Sequence, residues 1–157
     1  MGGTPAQQWA GFLSKYNPAI AAVAKAAVAR LRRYVPGAVE LVYDNYNALV
    51  VGFGPTERAS EAILSIALYP RWVTLFFLQG ERLSDPARRL QGTGKRVRHI
   101  VVSDVAILDE PAVRRLIRQA VETAPRQVDV KGRRRMVIRS VSARQRPRRP
   151  AKARASR

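Results

Sequence analysis

Three stretches of the chain carry the apolar periodicity of α-helices. Apolar residues recur at helical spacing over residues 20–31 and again over residues 113–121, and each stretch follows a proline, Pro18 or Pro111, at the first helical position. Residues 5–14 place a few large apolar residues on one side of a shorter helix. The pattern therefore predicts helices at both ends of a folded body.

Between the second and third helices the sequence changes to β-branched and aromatic residues separated by turn formers. The links at residues 44–47 and 70–71 are short enough to join antiparallel neighbours. The sequence predicts an α+β fold over residues 1–125, with an antiparallel sheet of about five strands between N-terminal and C-terminal helices. The predicted strands are residues 39–43, 48–53, 62–69, 72–78 and 97–102.

The fourth predicted strand is apolar on both faces. Phe76 and its alternate neighbours point one way, and Leu75 and Phe77 point the other way. Such a strand is most simply central and covered on both sides, either by helices or by a second copy of the chain. A homo-oligomer is therefore one of the expected partners.

Charge is distributed unevenly along the sequence. Lys and Arg number 29 against 11 Asp and Glu, and the formal net charge is +18. Residues 126–157 contain 13 of these cations and a single acid, Asp129. We expect this segment to be a disordered, arginine-rich tail, because it contains too little apolar surface to offset the entropy of ordering it. The alternation over residues 136–141 also allows a transient edge strand.

Such a tail is expected to contact nucleic acid or another polyanion without sequence preference, because clustered cations release the counterions of a phosphate backbone. The densest cations are the candidate contacts: Arg133, Arg134, Arg135, Arg146, Arg148 and Arg149. The alternative is a solubilising extension with no bound partner.

The composition argues against several classes of enzyme. The chain has no cysteine, which excludes disulfides, thiolate nucleophiles and cysteine metal clusters. Its only histidine, His99, has valines on its own side of a predicted strand, a setting more typical of a core or rim residue than of a general base. We therefore expect a protein that is not an enzyme. With no apolar run long enough for a bilayer and no secretory leader at Met1, we also expect a soluble cytoplasmic location without membrane contact.

Two short segments are candidate binding sites. The loop formed by Gly92, Thr93, Gly94, Lys95 and Arg96, together with Arg98, could present backbone amides and cations to a phosphate or carboxylate. The alternative is a glycine-rich turn with solvated cations.

The second candidate is the turn that contains Tyr43, Asp44 and Tyr46, where aromatic residues and amides could form a recognition surface for a base or a sugar. The alternative is that the asparagines serve the turn and the tyrosines cover the edge of the sheet.

The order of these elements resembles the YdhG-like domains of bacterial proteins. The resemblance lies in residues 16–20 (YNPAI), 36–47 (PGAVELVYDNYN), 92–100 (GTGKRVRHI) and 108–111 (LDEP), and it spans roughly residues 15–123. It implies an α+β fold with helices at both ends of an antiparallel sheet. One relative is described as a frataxin-like intracellular iron chaperone, so iron is the alternative cofactor. Iron prefers carboxylate ligands where thiolates are absent, whereas the few acids of this chain are scattered in a positive field.

Overall fold

The computed structural model of the protein describes residues 3–151. This part of the chain contains three α-helices, Pro5–Leu13 (α1), Pro18–Tyr34 (α2) and Pro111–Glu122 (α3). Six strands form one sheet: Val39–Asp44 (β1), Leu49–Gly54 (β2), Leu64–Leu68 (β3), Val73–Phe77 (β4), Arg98–Val101 (β5) and Arg135–Val141 (β6). The predicted α+β class is confirmed, and each predicted helix and strand overlaps one of these elements.

The sheet has the order β5-β4-β3-β2-β1-β6. Its first five strands are antiparallel neighbours, and the short links at residues 44–47 and 70–71 join two of these pairs as predicted. β6 instead pairs in parallel with β1, after α3 has carried the chain back across the sheet. The prediction of about five strands in a purely antiparallel sheet was therefore wrong: the sheet is mixed and has six strands.

The prediction of a disordered tail was also wrong for residues 126–151. Val128 is buried, and Met136 and Ile138 pack against the core from β6. Arginines are tolerated beside them because β6 is an edge strand, whose outer side reaches solvent. The remaining cations of the predicted tail, Lys152, Arg154 and Arg157, lie outside the described residues.

Gly37 allows the chain to close on this segment. Its φ of 81° lies in the left-handed region that favours glycine, and a Cβ there would lie 2.1 Å from the carbonyl oxygen of Asp129. The turn that leads into β6 can therefore approach the end of α2 closely.

The hydrophobic core lies on one face of the sheet. It contains alternate residues of β1 to β5, such as Val42, Val51, Ile66, Leu75 and Ile100, which the register aligns across the strands. All three helices contribute buried residues to this same cluster. The helices therefore cover one face and leave the other face without a helical layer. No helix within residues 3–151 is both long and apolar enough to cross a membrane.

Candidate nucleic-acid interface

The sheet face opposite the helices, here called the open face, consists of the residues that alternate with the core positions. Two rows cross the strands in register: Tyr43, Val50, Ala67, Thr74 and Val101, and then Leu41, Gly52, Ser65, Phe76 and His99. None of them belongs to the core cluster. Four of these side chains are half-buried and Val101 is 40% exposed, whereas Leu41 and the small side chains are buried. The half-buried ones are Tyr43, Val50, Phe76 and His99.

The interpretation that β4 is covered by helices on both sides is wrong for this face. A second copy of the chain as the cover stays a prediction.

One end of the sheet carries most of the exposed apolar surface. The β1–β2 and β3–β4 turns lie side by side there, because consecutive strands are antiparallel. Tyr46 is 46% exposed and Trp72 is 48% exposed, and Trp72 packs against Tyr69 with ring centroids 5.7 Å apart. We call Tyr46, Tyr69 and Trp72 the aromatic end. Exposed aromatic faces at the rim of an apolar sheet can stack on planar ligands such as nucleobases.

Arginines line the neighbouring edge of the sheet. Three exposed ones in β6 and the segment after it have no carboxylate partner among the described residues, and together they form the basic border: Arg139, Arg144 and Arg146. Arg146 lies over the ring of Tyr46, with 5.6 Å from its guanidinium carbon to the ring centroid. Arg71, also exposed, precedes Trp72 in the β3–β4 turn. Cations therefore reach the aromatic end from the segment after β6 and from the β3–β4 turn.

An anchor of buried charges holds the basic border in place. Arg148 is only 5% exposed, and its Nη2 lies 2.8 Å from Oδ1 of Asp44, which is fully buried. The same guanidinium donates hydrogen bonds to the backbone carbonyls of Asn45 and Tyr46. Asp44 of the predicted recognition turn and Arg148 of the predicted tail therefore form an ion pair, in which each neutralises the charge of the other. Arg148 is consequently a structural residue and not a free nucleic-acid contact.

Further contacts complete this anchor. Lys15 Nζ lies 3.2 Å from the second carboxylate oxygen of Asp44. The backbone amides of Ser142 and Arg146 donate to the carbonyls of Asp44 and Tyr46, each at 2.9 Å. The predicted contact Arg149 donates from Nε to the carbonyl of Lys15 at 3.3 Å, while its side chain stays exposed. The end of the described chain is thus fixed to the β1–β2 turn by both side chains and backbone.

The other three predicted nucleic-acid residues lie at the opposite end of β6. Arg134 contacts the buried carboxylate of Glu40 at 3.4 Å, and Arg135 pairs with Glu57 at 3.0 Å. Arg133 is exposed and makes no ion pair within the described chain. Of these three arginines, Arg133 alone forms no ion pair with a carboxylate of the described residues.

The predicted anion-binding loop also lies at this far end, before β5. Arg98 donates from Nη1 to the carbonyls of Gly94 and Val97, so its guanidinium supports its own loop. Gly92 adopts a φ of 116°, where glycine is favoured. Thr93, Lys95 and Arg96 are exposed. The structure separates this loop from the aromatic end by the length of the sheet, so the two predicted binding segments do not form one site.

Tyr43 and His99 both lie on the open face. Tyr43 is half-buried in the sheet, and its hydroxyl is enclosed without a hydrogen-bond partner. His99 packs against Phe76, with ring centroids 5.8 Å apart. Of the predicted recognition residues, Tyr46 alone presents a largely exposed aromatic face.

Asp109, on the helical side, is held by an ion pair and a hydrogen bond. It accepts hydrogen bonds from the hydroxyl of Tyr34 and from Nε of Arg30, the latter at 3.0 Å. The hydroxyl of Tyr34, followed by the Arg30 guanidinium, lowers the pKa of Asp109. Burial and the hydrogen bond to Asp109 raise the pKa of Tyr34. This site is an ion pair with a hydrogen-bonded phenol.

The carboxylates do not fit a resident iron. Glu40 accepts two hydrogen bonds from Arg32, at 2.8 and 2.9 Å, and Asp44 and Asp109 are held by arginines as described above. Within residues 3–151, no three His, Asp or Glu side chains lie close enough to hold a metal ion. Iron as a cofactor stays a prediction that no contact in the structure favours.

Sequence reasoning missed the open face as a site. Trp72 and Phe76 were assigned to one face of a strand, yet a single strand does not reveal which face the helices cover. Arg71 and Arg139 carried no signal beyond their charge. Comparison with known proteins adds nothing to these assignments: no protein-family model, curated protein or solved structure matches the chain.

Proposed function

We propose that this protein is a non-enzymatic binding module for single-stranded nucleic acid, acting in the cytoplasm. The observation that carries the proposal is the aromatic end, which lies on an uncovered sheet face beside the basic border. Aromatic rings can stack on bases of any sequence while arginines neutralise the phosphates, a combination typical of binding without sequence preference.

The arrangement favours a single strand over a duplex. Trp72 and Tyr46 can stack only on bases that are already unpaired and unstacked. The exposed arginines of α3, including Arg115 and Arg118, lie on the helical side, away from the aromatic end. A duplex would therefore gain charge contacts but no stacking. We expect the single strand to bind more tightly than a duplex of equal length at the same salt concentration.

The test is fluorescence anisotropy of a labelled oligothymidylate over a range of salt concentrations. Removal of one stacking ring by Trp72→Ala should cost about 1–3 kcal/mol of binding energy and leave the salt slope unchanged. Arg139→Gln should instead reduce the slope of log affinity against log salt by about 0.7, the value for one phosphate contact on a single strand. Point substitutions suit this test better than deletion of residues 126–157, because the deletion would also remove β6.

Two control variants match these substitutions. Arg118→Gln removes an exposed arginine from α3, on the other side of the sheet, and Val130→Ala trims a side chain that is 61% exposed outside the open face. Both should bind like the unaltered protein. The proposal is wrong if Arg118→Gln weakens binding as much as Arg139→Gln does, because binding would then follow net charge alone.

A second copy of the chain is the competing occupant of the open face. A dimer across this face would depend on protein concentration. It would also compete with oligothymidylate for the face and would dissociate when the oligonucleotide binds. Sedimentation velocity with and without the oligonucleotide separates them. The resemblance to YdhG-like domains stays part of the proposal and supplies no ligand of its own.

A further inference from the structure

The two edges of the sheet differ in how they are protected from further strand pairing. β5 is four residues long, and Gln91 bridges its outer side through two backbone hydrogen bonds with His99, each at 2.9 Å. β6, at the opposite edge, is seven residues long and is the longest strand of the sheet. Short edge strands and covering segments are usual protections against further pairing. β5 has both protections, whereas β6 has neither within residues 3–151.

The outer edge of β6 presents backbone groups that can pair with another strand. One side of β6 hydrogen-bonds to β1, and among the described residues no backbone group of Arg135–Val141 bonds outside the sheet. Arg139, Ser140 and Val141 are exposed, and Val141 is 54% exposed. A long edge of this kind can accept an extended peptide as an additional strand, with the main chain providing the hydrogen bonds.

The side chains of β6 would give such a strand an apolar neighbour on its helical side. Met136 and Ile138 lie on that side, where they are half-buried against the core. Val137 lies between them on the open face, paired with Leu41. The apolar surface that Met136 and Ile138 still expose would be covered by apolar side chains at alternate positions of the added strand.

Charge determines which kind of strand fits this edge. Arg133, just before β6, and Arg139, within it, are exposed and have no carboxylate partner among the described residues. A second copy of the chain would bring the same arginines to both sides of the new pair, where like charges repel. An acidic segment would instead gain ion pairs with them. The arginines therefore disfavour self-pairing and favour an acidic partner.

We propose that the outer edge of β6 binds an extended acidic segment of a partner protein as a seventh strand. Backbone hydrogen bonds would hold the segment, its apolar side chains would lie beside Met136 and Ile138, and its carboxylates would lie towards Arg139. This partner is additional to the proposed single-stranded nucleic acid. The test below contains no nucleic acid, so either proposal can fail without the other.

The experiment is an NMR titration of the full-length ¹⁵N-labelled protein with a peptide of alternating valine and glutamate, about as long as the seven residues of β6. We expect saturable shifts along residues 136–140 and none along Arg98–Val101 of the other edge. Two further peptides carry N-methyl groups at either the odd or the even positions. Only one of these sets of amides can face β6, so one methylated peptide should bind like the parent and the other at least about tenfold more weakly.

Charge variants tie the binding to the named edge. Arg139→Glu should weaken the glutamate peptide about three- to tenfold, because an exposed ion pair becomes a repulsive one. Arg118→Glu changes the net charge equally on exposed α3 and is the matched control, which should bind like the unaltered protein. The proposal is overturned if the peptide gives no saturable shifts along β6, if both methylated peptides bind equally, if a valine and lysine peptide binds as tightly, or if the two charge variants weaken binding alike.

Discussion

The ion pair between Arg148 and Asp44 gives the sharpest test of how the arginine-rich segment is held. Arg148→Met keeps most of the side-chain volume but leaves a fully buried carboxylate facing only Lys15. Breaking a buried pair by removing one partner typically costs about 3–5 kcal/mol. Lys15, whose side chain is 45% exposed, compensates in part, so we expect a loss of about 2–4 kcal/mol.

Urea unfolding followed by circular dichroism measures this loss. For an m value of about 2 kcal/mol/M, the midpoint should fall by about 1–2 M. Arg149→Met, one residue away and exposed, is the matched control and should change stability by less than about 0.5 kcal/mol. A second variant, Asp44→Leu combined with Arg148→Met, removes both charges and should be more stable than Arg148→Met alone. Equal stability of Arg148→Met and Arg149→Met would refute the buried anchor.

Three further predictions concern stability. Deletion of residues 135–157 removes β6 and leaves the edge of β1 without a hydrogen-bonded neighbour, so it should abolish cooperative unfolding or lower the melting temperature by more than 10 °C. An unchanged melting temperature would show that β6 does not stabilise the fold. Tyr16→Phe should cost about 1–3 kcal/mol in urea unfolding, because the hydroxyl bridges two buried backbone groups; a cost near zero would contradict this bridge. Asp109→Asn should cost at most about 1 kcal/mol at pH 7, because Asp109 is 38% exposed. Since Tyr34 lowers the pKa of Asp109, that difference should be complete above the pKa of an unfolded aspartate, about 4, and should shrink as the pH falls through the lower pKa of the folded state; a difference that does not shrink in acid would exclude this cause.

Local patterns predicted most of the fold. The apolar period of α2 and α3 and the short turns between the first strands depend on neighbours in sequence, which a single sequence displays directly. β6 was harder to predict because its partner, β1, lies about ninety residues earlier in the chain. The charges of Arg135 and Arg139 hide its alternation, since an edge strand tolerates cations on its solvated side.

The candidate nucleic-acid interface was even harder to predict from local sequence patterns. Composition identified the cations, but nothing local distinguishes Arg148, which is buried, from Arg149, which is exposed. That difference depends on Asp44, more than a hundred residues earlier in the sequence. The aromatic end likewise needs two turns to meet, so Trp72 and Tyr46 become one surface only in the folded sheet.

The most direct test of the account is an NMR map of the full-length ¹⁵N-labelled protein titrated with a short oligothymidylate. The account predicts that shifted amides cluster at Trp72, Val101 and the turn around Tyr46, extend along Arg139 to Arg146, and leave α3 unchanged. Shifts centred on the arginines of α3, or spread evenly over every cationic region, would contradict binding at the open face.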